Sequence, residues 1–217
     1  MCPYDPTRHH RRSIRLKGYD YTQPGAYFIT IVTHDRTHLF GRVVDGVMRL
    51  NALGEMVREE WFKTARIRPY VPLRADEFVV MPNHIHGIIW IVDVGATRRV
   101  APTSVGHTKR PCGPVPSPIG AIVCQFKSAV TKRTNALSNT YGVSLWQRNY
   151  YEHIIRNDKT LEVIRQYIAE NPLRLHLDRY NPERTGDDPL AQKIWETIQG
   201  AQQRGTSTSP HLLEDTP

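Results

Sequence analysis

The order of periodic segments in this sequence predicts an α+β fold: a ferredoxin-like (RRM-like) antiparallel sheet with helices on one face and one further helix added towards the C-terminus. Three observations predict it. Runs of β-branched and aromatic residues alternate with runs of helical period in the order strand, helix, strand, strand, helix, strand, helix, and the first six form a split βαβ arrangement. The 217 residues, 39% hydrophobic, suffice for one domain with a buried core plus tails. Stretches without hydrophobic period divide the chain into a basic arm over 1–24, a folded domain over 25–178 and a polar tail over 179–217.

The elements follow in order. Pro24-Gly25 leads into Ala26-Tyr27-Phe28-Ile29-Thr30-Ile31-Val32-Thr33, whose composition is that of a strand. Val43 to Leu50 carries Asp45-Gly46, a hairpin turn signal. Asn51 is placed to cap a helix in which Leu53, Met56, Val57 and Trp61 mark the apolar face, ending before Pro69. Asp76 to Met81 and Ile85 to Val92 read as strands separated by Pro82-Asn83. From 95 to 118 the chain carries Pro102, Pro111, Pro114, Pro116 and Pro118 among polar residues, the composition of a flexible insertion. Helical period returns from Ile119 through Ile122, Val123, Phe126, Ala129 and Val130. Val143 to Gln147 is the candidate last strand of the sheet, and Asp158 the cap of a helix running through Leu161, Ile164 and Ile168 to Pro172. Leu190 to Gln199 predicts one isolated helix, followed by a disordered end. Such a sheet buries one face under two helices and leaves the other open.

Lys and Arg number 29 against 21 Asp and Glu, a formal charge of +8 and a pI near 9.6, which favours a polyanionic partner, nucleic acid first. Cys2, Cys112 and Cys124 are odd in number and widely spaced, which argues against a disulfide framework and a zinc finger. No apolar run approaches the ~18 residues of a membrane span, and no signal-peptide core follows the start. A cytoplasmic protein with no membrane partner is expected.

Two short segments carry chemistry. His84 and His86, two apart on a strand, point to one face and can present both imidazoles to one divalent ion. Tyr167 and Asn171, four apart on a helix, also share a face, with Tyr167 at the edge of the stripe of Leu161, Ile164 and Ile168. If that helix lies across the strand, an ion and a hydroxyl nucleophile meet. The histidine triad of nucleotide hydrolases fits poorly, because Ile88 stands where its third histidine belongs, and no His-Glu-x-x-His zinc motif is present.

Four segments in order, Arg11-Arg12-Ser13-Ile14-Arg15-Leu16 with Tyr19-Asp20-Tyr21, Met81-Pro82-Asn83-His84-Ile85-His86, Trp146-Gln147-Arg148 with Tyr150, Tyr151, Glu152, His153 and Arg156, and Tyr167-Ile168 to Asn171-Pro172, resemble the single-tyrosine HUH transposases, specifically the REP-associated tyrosine branch. The likeness runs from about Arg11 to Leu177 and excludes the Pro-rich insertion and the tail. It implies that the domain over 25–178 is a transposase domain, that His84, His86 and Asn171 hold a divalent metal, Mg2+ or Mn2+, and that Tyr167 on the added helix is the nucleophile. It further implies DNA cleavage and rejoining through a 5′-phosphotyrosine, on single-stranded DNA with hairpins or palindromic repeats, by a monomer or a homodimer. Arg11, Arg12, Arg15, Trp146, Gln147, Arg148 and Arg156 are the candidate DNA contacts, although Trp146 equally suits a strand packing its ring inward. Two other readings remain open, a replication-initiator nickase of the same chemistry and a non-catalytic nucleic-acid-binding protein of the same fold.

Overall fold

Strand β1 (Gly25–Val32) is the middle of a four-stranded sheet because its two edges find different partners. On one side it pairs antiparallel with β5 (His84–Ile91), in a register that sets Thr30 opposite His86. On the other it pairs with β6 (Tyr151–Ile155), setting Phe28 opposite His153. The short β4 (Phe78–Val80) closes the far edge of β5, so the order is β4-β5-β1-β6, every pair antiparallel. With helix α1 (Ala52–Ile67) between the first two of these strands and α2 (Pro118–Ser138) between the last two, this is the ferredoxin-like topology. The computed structural model describes residues 23–92, 118–138 and 144–204. The basic arm with Arg11, Arg12 and Arg15, nearly all of the Pro-rich insertion and the end of the tail lie outside the described residues.

Several local predictions hold for the expected reasons. Strands β2 (Gly41–Val44) and β3 (Val47–Leu50) form the hairpin, with Asp45 and Gly46 both at positive φ as a two-residue turn demands. Asn51 caps α1 by accepting from the Gly54 amide at 2.9 Å. Helix α3 (Asp158–Glu170) is capped one residue earlier than expected: Asn157 accepts from the Thr160 amide at 2.8 Å, while Asp158 becomes the first helical residue, where its charge favours the helix dipole.

Strand alternation makes two cores. Tyr27, Ile29 and Ile31 of β1 and Ile85 and Ile89 of β5 pack against Val57 and Trp61 of α1 and Ile122, Phe126 and Val130 of α2. Gly87 belongs to this layer by what it lacks, since a Cβ there would run into the Trp61 indole. The opposite face carries Ala26, Phe28, Ile88 and Ile155, and it is not open. Leu161, Ile164, Tyr167 and Ile168 of α3 and Leu190 and Ile194 of α4 (Pro189–Arg204) cover it. Helix α4 is therefore not isolated. Asp188 accepts from the Leu190 amide at 2.9 Å and from Arg174 at 2.7 Å, which ties the start of α4 to the turn after α3.

The last sheet strand is Tyr151–Ile155, not Val143 to Gln147. Pairing of Tyr151–Ile155 with 26–30 uses the free edge of β1, which leaves the earlier segment a single bridge, Thr33 to Trp146. Helix α3 is moored by the buried Glu77, which accepts from Arg165 Nε at 3.0 Å and Nη2 at 2.6 Å and from Trp90 Nε1 at 2.6 Å. Among the described residues no helix is long and apolar enough to cross a membrane.

Candidate functional site

His84 and His86 emerge at the start of β5 on the face that α3 covers, and their Nε2 atoms lie 3.1 Å apart. The other nitrogen of each ring is held. Asn83 donates through Nδ2 to the carbonyls of Arg36 (3.0 Å) and Tyr180 (2.8 Å), so its Oδ1 is left as the acceptor for His84 Nδ1–H at 2.8 Å. His84 Nε2 therefore carries a lone pair. His86 Nδ1 meets the hydroxyl of Thr30, its cross-strand partner, at 2.8 Å. Burial lowers the pKa of both histidines, further for His86 because His84 and Arg179 stand near, and it outweighs the upward pull of Asp178 on His84. Both rings are neutral at pH 7, the form that binds metal.

Helix α3 sets Tyr167 beside this pair, its ring centroid 5.0 Å from that of His86 and 6.3 Å from that of Phe28. Tyr167 is 5% exposed, inside the apolar stripe rather than at its edge, because α4 and the chain leading to it close over that side. Burial pushes its phenol well above pKa 10, helped by the negative charge of Asp178, with Asn171 opposing. Asn171 is the helical C-cap before Pro172, fully buried, and within electrostatic reach of both His84 and Tyr167. Neither atom of its amide completes a hydrogen bond. The four residues expected from the sequence thus converge.

Asp178 joins them without a sequence signal. It follows the tight helical turn Pro172–Leu177, its Oδ1 accepts from the Tyr180 amide at 2.6 Å, and its Oδ2 lies 3.5 Å from His84 Nε2. The donor atoms of His84, His86 and Asp178 all lie within 4.8 Å of one another. Tyr180, also missed, sets its ring 4.9 Å from that of His84, and the Arg179 guanidinium lies 5.2 Å over the Tyr180 ring. A cleft of about 490 Å³ opens beside Tyr167 and Asp178, with Arg36, Arg179 and Arg184 on its walls. These residues fall at the junction of domain and tail, where hydrophobic period had already ended.

The donor set suits a divalent ion. Two ligands about 2.1 Å from a shared ion and at right angles stand about 3 Å apart, which matches the 3.1 Å between the two Nε2 atoms. Imidazoles with an oxygen donor accept Mg2+ or Mn2+ as well as softer metals.

The other candidates lie apart from this cluster. Trp146 is 6% exposed and packs between Phe40 and Phe126, at centroid distances of 5.4 and 5.9 Å, in the α1/α2 core. The bridge to Thr33 turns its ring inward, the packing role that the sequence equally allowed for it. Gln147 is half-buried, and Arg148 is exposed beside Lys127 and Lys132 on a second cleft of about 560 Å³ near α2. Arg156 is exposed just past β6, close enough to the buried His153 to help burial push that imidazole down to about 4.

No family model matches the chain. An uncharacterized protein of Haemophilus influenzae is 43% identical over 176 residues, covering 81% of this chain and 96% of that protein. A second Haemophilus influenzae protein, described as "Putative REP-associated tyrosine transposase", is 25% identical over 159 residues, 71% of this chain and 74% of that one. Among solved structures, a REP-associated tyrosine transposase bound to a REP hairpin aligns with TM-score 0.45 and 21% identity over 76% of this chain and 74% of that chain. A "putative transposase" from Deinococcus radiodurans aligns with TM-score 0.38 and 21% identity over 73% of this chain and 98% of that one.

Proposed function

We propose that this chain is a REP-associated tyrosine transposase, of the single-tyrosine HUH branch that its motifs resemble, and that it cuts and rejoins hairpin-containing single-stranded DNA through Tyr167. The observation that carries the reading is the position of Tyr167, 5.0 Å ring to ring from His86, whose Nε2 faces that of His84 across 3.1 Å. A tyrosine on a core helix has no need of two buried, oriented imidazoles beside it.

His84 and His86 would hold the ion, with Asn171 in reach as a further group. A bound divalent ion supplies Lewis acidity at the scissile phosphate and an electrostatic pull favouring the phenolate. The protein's own residues do the rest. Asn83 keeps the His84 proton on Nδ1 and its Nε2 free. Tyr167 Oη forms a bond to phosphorus as the bond from phosphorus to the 3′ oxygen breaks, and the proton given up by the phenol ends on the departing 3′ oxygen. The products are a 5′-phosphotyrosine and a free 3′-hydroxyl. Attack on that linkage by a second 3′-hydroxyl reverses the step, joins strands and returns the proton to Tyr167. Arg36, Arg179 and Arg184 on the cleft offer positive charge to the backbone entering there.

The test is trapping of the covalent intermediate. Wild-type protein incubated with Mn2+ and a palindromic hairpin oligonucleotide labelled at both ends should yield protein-linked DNA carrying only the label 3′ of the cut, and Tyr167→Phe should yield none. A non-catalytic binding protein of the same fold retains the oligonucleotide and forms no adduct, and an adduct that persists in Tyr167→Phe moves the nucleophile elsewhere.

A further inference from the structure

Three electron-rich atoms converge in one buried pocket, His84 Nε2, His86 Nε2 and Asp178 Oδ2. The histidines can satisfy each other: if the Thr30 hydroxyl donates to His86 Nδ1, then His86 Nε2–H donates to the bare His84 Nε2 at 3.1 Å. Asp178 is satisfied on Oδ1 alone, by the Tyr180 amide. Its Oδ2 has no hydrogen-bond partner, its residue is 2% exposed, and at 3.5 Å it faces a nitrogen whose lone pair also points inward. A buried carboxylate oxygen without a partner is unfavourable, and so is a divalent cation held only by neutral ligands. The two problems cancel if the carboxylate faces the ion.

Building on the metal-assisted reading of this site, we propose that Asp178 is the anionic ligand of the divalent ion, making a set of two histidines and one carboxylate with Asn171 as an added neutral group. A hard oxygen anion also biases the site towards Mn2+ and Mg2+. The assignment has a mechanical consequence. Asp178 Oδ1 accepts from the Tyr180 amide, and the Tyr180 carbonyl accepts from Asn83, which orients His84. The ion therefore ties residues 178–181, which border the cleft beside Tyr167, to the start of β5.

Titration of the full chain with Mn2+ alone, followed by loss of the electron paramagnetic resonance signal of the free aquo ion, tests this without DNA or turnover. Asp178→Asn keeps the shape and the bond from the Tyr180 amide while removing the charge. It should weaken Mn2+ binding at least tenfold, and Asn171→Ala should weaken it less. A loss under threefold in Asp178→Asn, or a larger loss in Asn171→Ala, overturns the assignment. A readout on the wild-type protein covers the case of a variant that does not fold: saturating Mn2+ should slow hydrogen exchange at the Tyr180 and Asn181 amides at least tenfold, and unchanged exchange there overturns the proposal. Covalent adduct formation by the wild type is scored separately. Its absence sinks the transposase reading, whereas an adduct together with unchanged Mn2+ affinity in Asp178→Asn sinks only the assignment of Asp178.

Discussion

Asn83 does more for the site than its place in a Pro-Asn linker suggests. One buried side chain sets the tautomer of His84, holds the carbonyl of Tyr180 and holds the carbonyl of Arg36. Outer groups of this kind commonly carry a 10–100-fold effect on metal affinity. Asn83→Ala should therefore lower Mn2+ affinity by about that factor while leaving His84 and His86 in place, and it should cost about 2 kcal/mol of stability through the carbonyls left unpaired. Mn2+ titration and urea unfolding of the variant measure the two effects; unchanged affinity would mean that strand geometry alone orients His84. His153 offers a second test. Burial and Arg156 depress its pKa to about 4, so between the unfolded value near 6.5 and that figure the unfolded chain binds more protons than the folded one. The stabilisation is present in full above the unfolded pKa, falls as pH drops below about 6.5 and is gone once pH is below the folded pKa near 4. Between pH 6.5 and pH 5 the loss from this group should approach about 2 kcal/mol. Urea unfolding at the two pH values should show His153→Gln losing correspondingly less than the wild type, and an equal loss would assign the acid sensitivity to other groups.

At the scale of elements, the placement of α3 decides whether Tyr167 meets the histidines. Its apolar stripe lays it on the sheet, but the stripe alone leaves sliding and tilt open, and the ion pair of Arg165 with the fully buried Glu77 fixes one point of it to β4 and β5. Arg165 lies two residues before Tyr167. Removing one partner of a buried pair commonly costs about 3–5 kcal/mol because the other charge is left uncompensated. Arg74 also reaches Glu77, at 3.6 Å, so Arg165→Leu should cost less than that, about 1–3 kcal/mol by denaturant unfolding, and Glu77→Gln, which keeps a polar partner for Trp90, should cost less again. Trp146 belongs to this scale too, since it seals the segment before β6 against α2. Trp146→Ala should cost about 3–5 kcal/mol of stability, and the folded fraction at low temperature should bind a hairpin oligonucleotide with wild-type affinity. A loss of affinity in protein shown to be folded would return Trp146 to the DNA surface.

For the whole molecule, the two faces of the sheet divide the labour. The α1/α2 face is a conventional apolar core, with Trp61 stacked on Phe78 at 4.7 Å and edge-on to Phe126 at 5.5 Å. The other face carries the histidines, Thr30 and Phe28 under a cover made of α3, the turn after it and α4. Leu190 and Ile194 of α4 are buried in this cover. Removing residues 189–217 should lower stability by about 3–6 kcal/mol, at about 1.5–3 kcal/mol for each of these two large apolar side chains that loses its burial. Thermal and urea unfolding of the truncated chain check this; unchanged stability would mean that α4 rests on the sheet without holding it.

Much of the molecule was decided locally and was therefore legible in the sequence. Strand alternation dictates that His84 and His86 share a face, helical period dictates that Tyr167 and Asn171 do, Asp45-Gly46 dictates its turn and Asn51 its cap, because each depends only on neighbours a few residues away. The order of elements also carried the ferredoxin-like topology, since few sheets accommodate it. What the sequence left undetermined depends on distant partners. The last sheet strand was misplaced because Val143 to Gln147 and Tyr151 to Ile155 compete for one edge of β1, and only the pairing with 26–30 decides between them. The second face was expected to be open because α4, read alone, is an amphipathic helix with no visible partner. Tyr167 proved buried for the same reason. Asp178 and Tyr180 reach the histidines through a turn that reverses the chain after α3, so no spacing in the sequence could connect residues 84 and 178. Local periodicity determined which side chains face together along one element, and only tertiary packing determined which elements face each other, because the contacts that choose between packings join residues far apart in the chain.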